Sequence, residues 1–210
     1  MKRMSTRVAT VALFAVAAAC SNGSSNSASS PSTAAASTTV APTTAAANNP
    51  NAPEVNPAGD IPDNQVFVEY APPSGGYSVK VPEGWARVES GGAVTFTDKL
   101  NRIRMETKAS ASAPTTSSAQ RDEVPAIQAA SKNYEAGKVT QVTRKSGPVI
   151  LITYRADSEP DSVTGKVVHD DVERYEFWRT GTEVILTLSG PVGADNVDPW
   201  RIVTDSLSWK

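Results

Sequence analysis

The 210-residue chain contains one cysteine, Cys20, and one histidine, His169. A lone cysteine can form no internal disulfide, so any folded part must rest on an ordinary packed core. One histidine is also too few for a zinc site, which takes several His or Cys ligands. No excess of positive charge exists either, since 20 Lys and Arg stand against 22 Asp and Glu. A nucleic-acid binder needs clustered cations for phosphate contacts, and no basic stripe supplies them. The sequence also lacks a G-x-S-x-G nucleophile turn and a glycine-rich phosphate loop. Aromatic residues are missing from Ser21 to Gln65, where the only charges are Glu54, Asp60 and Asp63. Such a segment buries too little apolar surface to offset the entropy of ordering it.

What is present at the amino terminus has the three parts of an export signal. Lys2, Arg3 and Arg7 give a positive start, Val8–Ala19 is free of charge, and Ala17-Ala18-Ala19 offers small residues for cleavage. As a helix those twelve residues would span about 18 Å, short of the roughly 30 Å of a bilayer core. Ala17-Ala18-Ala19-Cys20 resembles the lipobox of bacterial lipoproteins, with alanine at position 17 where leucine is commoner. That resemblance implies a diacylglycerol on the Cys20 thiol and cleavage before it. The expected location is therefore the cell membrane, lipid-anchored on its extracytoplasmic face, at roughly 0.8 kcal/mol per buried methylene. Loss of residues 1–19 removes three cations and no acids, leaving the mature chain acidic.

Ser21 to Pro62 is rich in Ser, Thr, Ala, Asn and Pro, the composition of a flexible stalk. About 40 such residues have a root-mean-square span near 35 Å, so a domain at their end searches a shell around its anchor. The chain thus divides into a signal segment (1–19), a lipidated Cys20 with a disordered linker (20–62) and a globular domain (63–210).

The globular part reads as hairpins interrupted by helices. Tyr77–Val81 alternates before the turn Pro82-Glu83-Gly84-Trp85. Ala93–Thr97 and Arg102–Lys108 flank a turn at 98–101. Val139–Arg144 and Val149–Ala156 flank Ser146-Gly147-Pro148, and Val172–Arg179 and Glu183–Ser189 flank Thr180-Gly181-Thr182. Short glycine-bearing connections imply antiparallel pairing. One helix is expected from Asp122 as N-cap, with Pro125 in its first turn and Ile127, Ala130 and Tyr134 on one face before Gly137. A second is expected from Asp198 as cap, with Pro199 first and Trp200, Val203 and Leu207 as its apolar stripe. The fold class is α+β, an antiparallel sheet with two or more helices packed on it.

Gly76-Tyr77-Ser78-Val79-Lys80-Val81-Pro82-Glu83-Gly84-Trp85 resembles the opening strand and turn of the PsbP/Mog1-like fold. Asp198-Pro199-Trp200-Arg201, with Asp205-Ser206-Leu207, resembles its terminal helix. Joined to the lipobox, the pattern is similar to the LpqN-type lipoproteins of mycobacteria and their relatives. The resemblance implies an accessory or partner-binding role and brings no shared catalytic residues and no cofactor.

The residues themselves offer few chemical candidates. His169 falls in the polar stretch 165–171 and reads as a solvated loop residue, although a Ser-His-Asp arrangement around it would make a noncanonical hydrolase. Asp157-Ser158-Glu159-Pro160-Asp161 is an acidic cluster, but Ser162 stands where a calcium loop of the EF-hand type needs glycine. Neither gives a catalytic or metal site. The richest aromatic and basic run is Arg174, Tyr175, Phe177, Trp178 and Arg179. On a strand, Tyr175 and Phe177 share one face and Arg174 and Trp178 the other. One face is expected to be core; the other is either an aromatic covered by arginine or part of a partner surface. The function expected is a non-catalytic module that binds a protein of the envelope. The alternative is a carrier of a small apolar or lipid ligand held between sheet and helices.

Overall fold

The computed structural model describes residues 57–161 and 163–210. The signal segment, Cys20 and the linker as far as residue 56 lie outside the described residues.

Four hairpins build the main sheet. Strands β3 (Ala86–Ser90) and β4 (Ala93–Asp98) form the first, and β4 turns again into β5 (Asn101–Ala109). β6 (Glu135–Arg144) pairs with β7 (Gly147–Asp157), and β8 (His169–Arg179) with β9 (Thr182–Pro191). Each tight turn carries a residue in the left-handed region, such as Lys99 (φ 50°) between β4 and β5 and Gly181 (φ 82°) between β8 and β9. The sheet has seven strands in the order β3-β4-β5-β9-β8-β7-β6, antiparallel throughout.

Where one sheet was expected there are two. β1 (Phe67–Tyr70), β2 (Tyr77–Pro82) and β10 (Ser208–Trp209) form a separate three-stranded antiparallel sheet. β2 is buried at Tyr77, Ser78, Val79, Val81 and Pro82, because it lies between two partners and against the core. The last helix, α3 (Val197–Asp205), packs beside it. Its Trp200 and Val203, with Leu207 just beyond its end, join Tyr175, Phe177, Leu186 and Leu188 in the principal core. The expected stripe of the terminal helix is thus present. Its expected cap is not. Asn196 is the N-cap, and Asp198 and Pro199 are the second and third helical residues.

Asn196 has another task. Its Nδ2 donates to Gly59 O (3.0 Å) and Asn101 Oδ1 (3.0 Å), while its Oδ1 accepts from the Ile61 N–H (2.8 Å). Asn101 Nδ2 also donates to Gly59 O (2.9 Å). A side chain on Gly190 would strike this node, since its Cβ would lie 2.5 Å from Asn101 Oδ1. Ile61 is itself a core residue at 5% exposure. Gly59–Ile61, expected in the linker, are therefore bound into the domain.

The other helical segment starts earlier than expected. Thr115 caps α1 (Thr116–Ser118) in a reciprocal box with Ser118, which the sequence expectation at Asp122 overlooked. A π-helical stretch, Ala119–Glu123, follows, in which the Val124 N–H reaches Ala119 O, and α2 (Val124–Ala130) completes the segment. Ser131 turns extended (φ −102°, ψ 143°) and ends it, so Tyr134 and Gly137 lie beyond the helix and Gly137 falls within β6. Ala119, Val124 and Ile127 cover Ile150 and Ile152 on the second face of the main sheet.

Candidate functional site

Strand β8 is the common thread of the chemically distinctive regions. Its odd-numbered residues face the principal core. Tyr175 and Phe177 are 2% and 1% exposed. The Tyr175 hydroxyl donates to Glu173 Oε2 (2.7 Å) and accepts from Arg144 Nη2 (2.8 Å), whose guanidinium lies over the ring. Burial, then the charge of Glu173, pushes the phenol far above its ordinary range, so it stays protonated. Arg144 Nε also donates to Thr204 Oγ1 (2.9 Å), fastening α3 to the sheet.

The even-numbered residues face α2, so of the two alternatives for this run the covered aromatic fits its burial. Arg174 keeps only 14% of its side chain exposed. Trp178 is half-buried and donates its Nε1–H to Ser110 O (2.9 Å), holding the segment that leads to α1. Only Arg179 of the five is exposed. An aromatic on each strand face does not imply an exposed one, because both faces of this sheet are covered at β8.

On that second face the sheet register gathers charges from three strands. Lys108 lies opposite Glu183, and Arg104 opposite Thr187, which in turn faces Arg174. Arg174 Nη2 lies 3.0 Å from Glu123 Oε2, its Nη1 3.7 Å from Glu106 Oε2 and its Nε 3.6 Å from Glu176 Oε1. Lys108 Nζ lies 2.8 Å from Glu123 Oε1 and 3.2 Å from Glu183 Oε1. Glu123 belongs to the π-helical stretch, which bulges it toward the sheet; such stretches recur at functional sites. Burial raises the Glu123 carboxyl, but Lys108 and Arg174 outweigh it and the net shift is downward. Glu176 moves the other way. Burial first, then the charge of Glu123, pushes it up to about 7. The sequence reading missed Lys108, Glu123, Glu176 and Glu183 because they converge from separate elements. The available signal was alternation, since Arg174 and Glu176 interleave with the core residues Tyr175 and Phe177.

A groove of about 1120 Å³ opens at the far end of β8. Lys145 and Ser146 of the β6–β7 turn, Arg179, Lys80 of β2, Asp198, Arg201 and Ile202 of α3, and Trp209 of β10 line it. Asp205 in its wall is taken by Arg144 (3.8 Å) and Arg201 (3.5 Å). Lys80, Lys145 and Arg179 pair with no carboxylate among the described residues. Ile202 is 44% exposed beside them.

His169 begins β8 instead of sitting in a loop. Its Nδ1 contacts Asp157 Oδ1 (2.9 Å) and its Nε2 lies 3.6 Å from Glu135 Oε1. The Nδ1 contact ties β8 to the end of β7, and Glu135 of β6 lies close by the other nitrogen. Next to it Asp170 is buried at 4%, and burial lifts its carboxyl to about 6. Among the described residues no three of His, Cys, Asp and Glu converge closely enough to hold a metal ion.

This arrangement of two antiparallel sheets and packed helices is the PsbP/Mog1-like α+β fold. One solved structure carries the likeness, and two others match at lower scores. The cyanobacterial PsbP of Synechocystis matches at 16% identity and TM-score 0.50, covering 72% of this chain and 98% of that one. The Ran-binding protein Mog1p of Saccharomyces cerevisiae matches at 10% identity and TM-score 0.43, covering 61% and 78%. A protein of Bacteroides thetaiotaomicron matches at 14% identity and TM-score 0.46, covering 68% of this chain and 48% of that one, so this chain spans about half its length. At these identities the likeness is one of fold. No family model and no curated protein matches the chain.

Proposed function

We propose that this protein is a lipid-anchored module of the bacterial cell envelope, held on the extracytoplasmic face by Cys20, that works by binding a protein partner and not by catalysis. It is similar in this to the LpqN-type lipoproteins, whose lipobox pattern it resembles. The observation that carries the reading is the groove at the end of β8. Three cations that form no ion pair among the described residues stand there against one unpaired acid, Asp198, beside exposed Ile202 and half-buried Trp209. An extended acidic segment with an apolar anchor fits that lining, because its charges complement the free cations and Arg and Trp are enriched where proteins dock. The carrier reading has less support. The space it would need between α3 and the sheet is filled by Phe177, Leu186, Trp200 and Val203, none above 6% exposed.

A photo-crosslinking residue at Lys145, placed in the full-length chain in its native envelope, tests the reading. One dominant adduct is expected at 145, lost on Arg179→Glu. A control position at Val88, on the opposite edge strand and 61% exposed, should not give it. Equal adducts at both positions, or an adduct indifferent to Arg179→Glu, would remove the groove from the proposal. The anchor is tested separately with labelled fatty acid, which should enter the wild type and not Cys20→Ala.

A further inference from the structure

The two edges of the seven-stranded sheet are guarded differently. β6 is long, but its register shifts between Ala136 and Val139, the kind of bulge that keeps an edge from pairing further. β3 closes the other edge and has no such irregularity. Ala86, Arg87, Val88, Glu89 and Ser90 match β4 without a break, and all of them are exposed, Val88 at 61%.

The turn after β3 fixes which of its backbone groups are free. Gly91 and Gly92 alone join it to β4, both in the left-handed region (φ 60° and 80°), so Ser90 and Ala93 close a two-residue hairpin. The closing pair of such a hairpin is hydrogen-bonded, and bonded and non-bonded pairs then alternate along the strands. Ala86, Val88 and Ser90 therefore turn their N–H and C=O toward β4. Arg87 and Glu89 turn theirs away, to where the sheet ends. Their side chains share a face with Phe96 and Val94, which lie opposite them, and Val88 stands on the other face with Thr95.

The sequence of β3 is complementary to itself. Laid antiparallel on a second β3 with the two Val88 residues opposite, it sets Arg87 of each copy against Glu89 of the other, and Ala86 against Ser90. The outward N–H and C=O groups of Arg87 and Glu89 then meet in two hydrogen-bonded pairs around a Val88–Val88 pair. Other registers are worse. A slip of two residues sets Arg87 against Arg87 or Glu89 against Glu89, and a slip of one puts the hydrogen-bonding groups out of phase. Opposite charges directly across strands are favourable and like charges are not.

We propose that the β3 edge is where a second copy of this chain docks, the two strands pairing antiparallel about a twofold axis at Val88 so that the two large sheets become one. The same patch serves both copies, as a twofold contact requires. Each side contributes one short strand, so the association is weak and reversible. This edge lies across the sheet from β6, whose turn lines the groove, and the inference does not rest on the reading of that groove.

Sedimentation of the full-length protein, over a concentration series reaching about 1 mM, should show a monomer–dimer equilibrium. At that concentration an association worth only about 4 kcal/mol pairs half of the chains. Glu89→Arg should weaken the dimer about tenfold or more, and Arg87→Glu as much, because symmetry makes each reversal spoil both charge pairs. Mixed together, the two variants should associate about as strongly as the wild type, since arginine faces glutamate again at both places. That rescue also shows both variants to be folded, which matters for Arg87 because its guanidinium lies over the Tyr70 ring (5.8 Å). Cysteines placed in a Cys20→Ser chain read the register. Val88→Cys should give a disulfide-linked dimer on mild oxidation, because directly opposed non-bonded positions bring their Cα atoms to about 4.5 Å. Thr140→Cys, exposed on β6, should not. A photo-crosslinker at Val88 should accordingly join the chain to itself, an adduct distinct from the one expected at Lys145. A monomer at every concentration, a dimer indifferent to both charge reversals, or linkage through position 140 as readily as through 88 would overturn the proposal.

Discussion

The two faces of the seven-stranded sheet are made differently. Toward α3 and the small sheet it presents Phe96, Ile103, Met105, Tyr175, Phe177, Val184, Leu186 and Leu188, all buried. Toward α2 the same strands present Arg104, Glu106, Lys108, Arg174, Glu176 and Glu183 around buried Ile185, with a small apolar cluster at Ile150 and Ile152. The first face excludes water from apolar surface, which is the main favourable term in folding. The second buries charges that must find partners among themselves, and such arrangements add little net stability. The first face should therefore hold the fold and the second should carry chemistry, and substitutions on each can separate the two.

The largest effect belongs to the apolar face. Trp200 is 6% exposed and packs from α3 into the core beside Val203 and Leu207. Trp200→Ala should cost about 3–5 kcal/mol, the usual range for deleting a large buried aromatic. Denaturant unfolding of the described domain measures it. An unchanged midpoint would mean that α3 does not close this face.

That face was legible in the sequence because it is written in local periodicity. Tyr175 with Phe177 alternates, and Trp200, Val203 and Leu207 recur at helical spacing, so the class and the three later hairpins follow from short windows. The second face was not legible. Lys108, Glu123, Glu176 and Glu183 are each unremarkable in their own windows and meet only through register and a π-helical stretch. The helix start was missed because Thr115 and Ser118 form a capping box whose N-cap lies about two turns before the acidic residue chosen. The node of Gly59, Asn101, Gly190 and Asn196 joins positions up to 137 residues apart, which no local pattern encodes.

An intermediate effect is expected at Arg174. Read as an exposed partner contact, it should tolerate alanine; lodged among Glu106, Glu123 and Glu176, it should not. Arg174→Ala should destabilise by about 2–3 kcal/mol, below the range for a fully buried pair because part of its side chain reaches water. The Arg174→Ala, Glu176→Gln pair should lose less than the sum of the single changes, since the neutral amide no longer needs a cation. A double-mutant cycle in denaturant checks both, and strict additivity would show that the two side chains do not interact.

The smallest effect is the most specific to the charged face, because its sign depends on pH. Glu176 is lifted from 4.5 to about 7 by burial and by the charge of Glu123. A raised carboxyl means that the folded chain binds a proton the unfolded chain has already lost. Its contribution is fully present below about pH 4.5 and disappears as pH rises through about 7. Asp170, lifted to about 6, acts in the same direction and finishes earlier. Glu123, whose net shift is downward, contributes above its ordinary range and is lost only at lower pH, so the interval from 5 to 8 isolates the raised groups. Glu176→Gln keeps the shape and cannot ionise. The variant should match the wild type near pH 5 and exceed it at pH 8 by about 1 kcal/mol, less than the full shift implies because Arg174 and Lys108 relax toward the charge. Unfolding midpoints at the two pH values decide it. A difference that is the same at both would mean that Glu176 does not change its protonation between them.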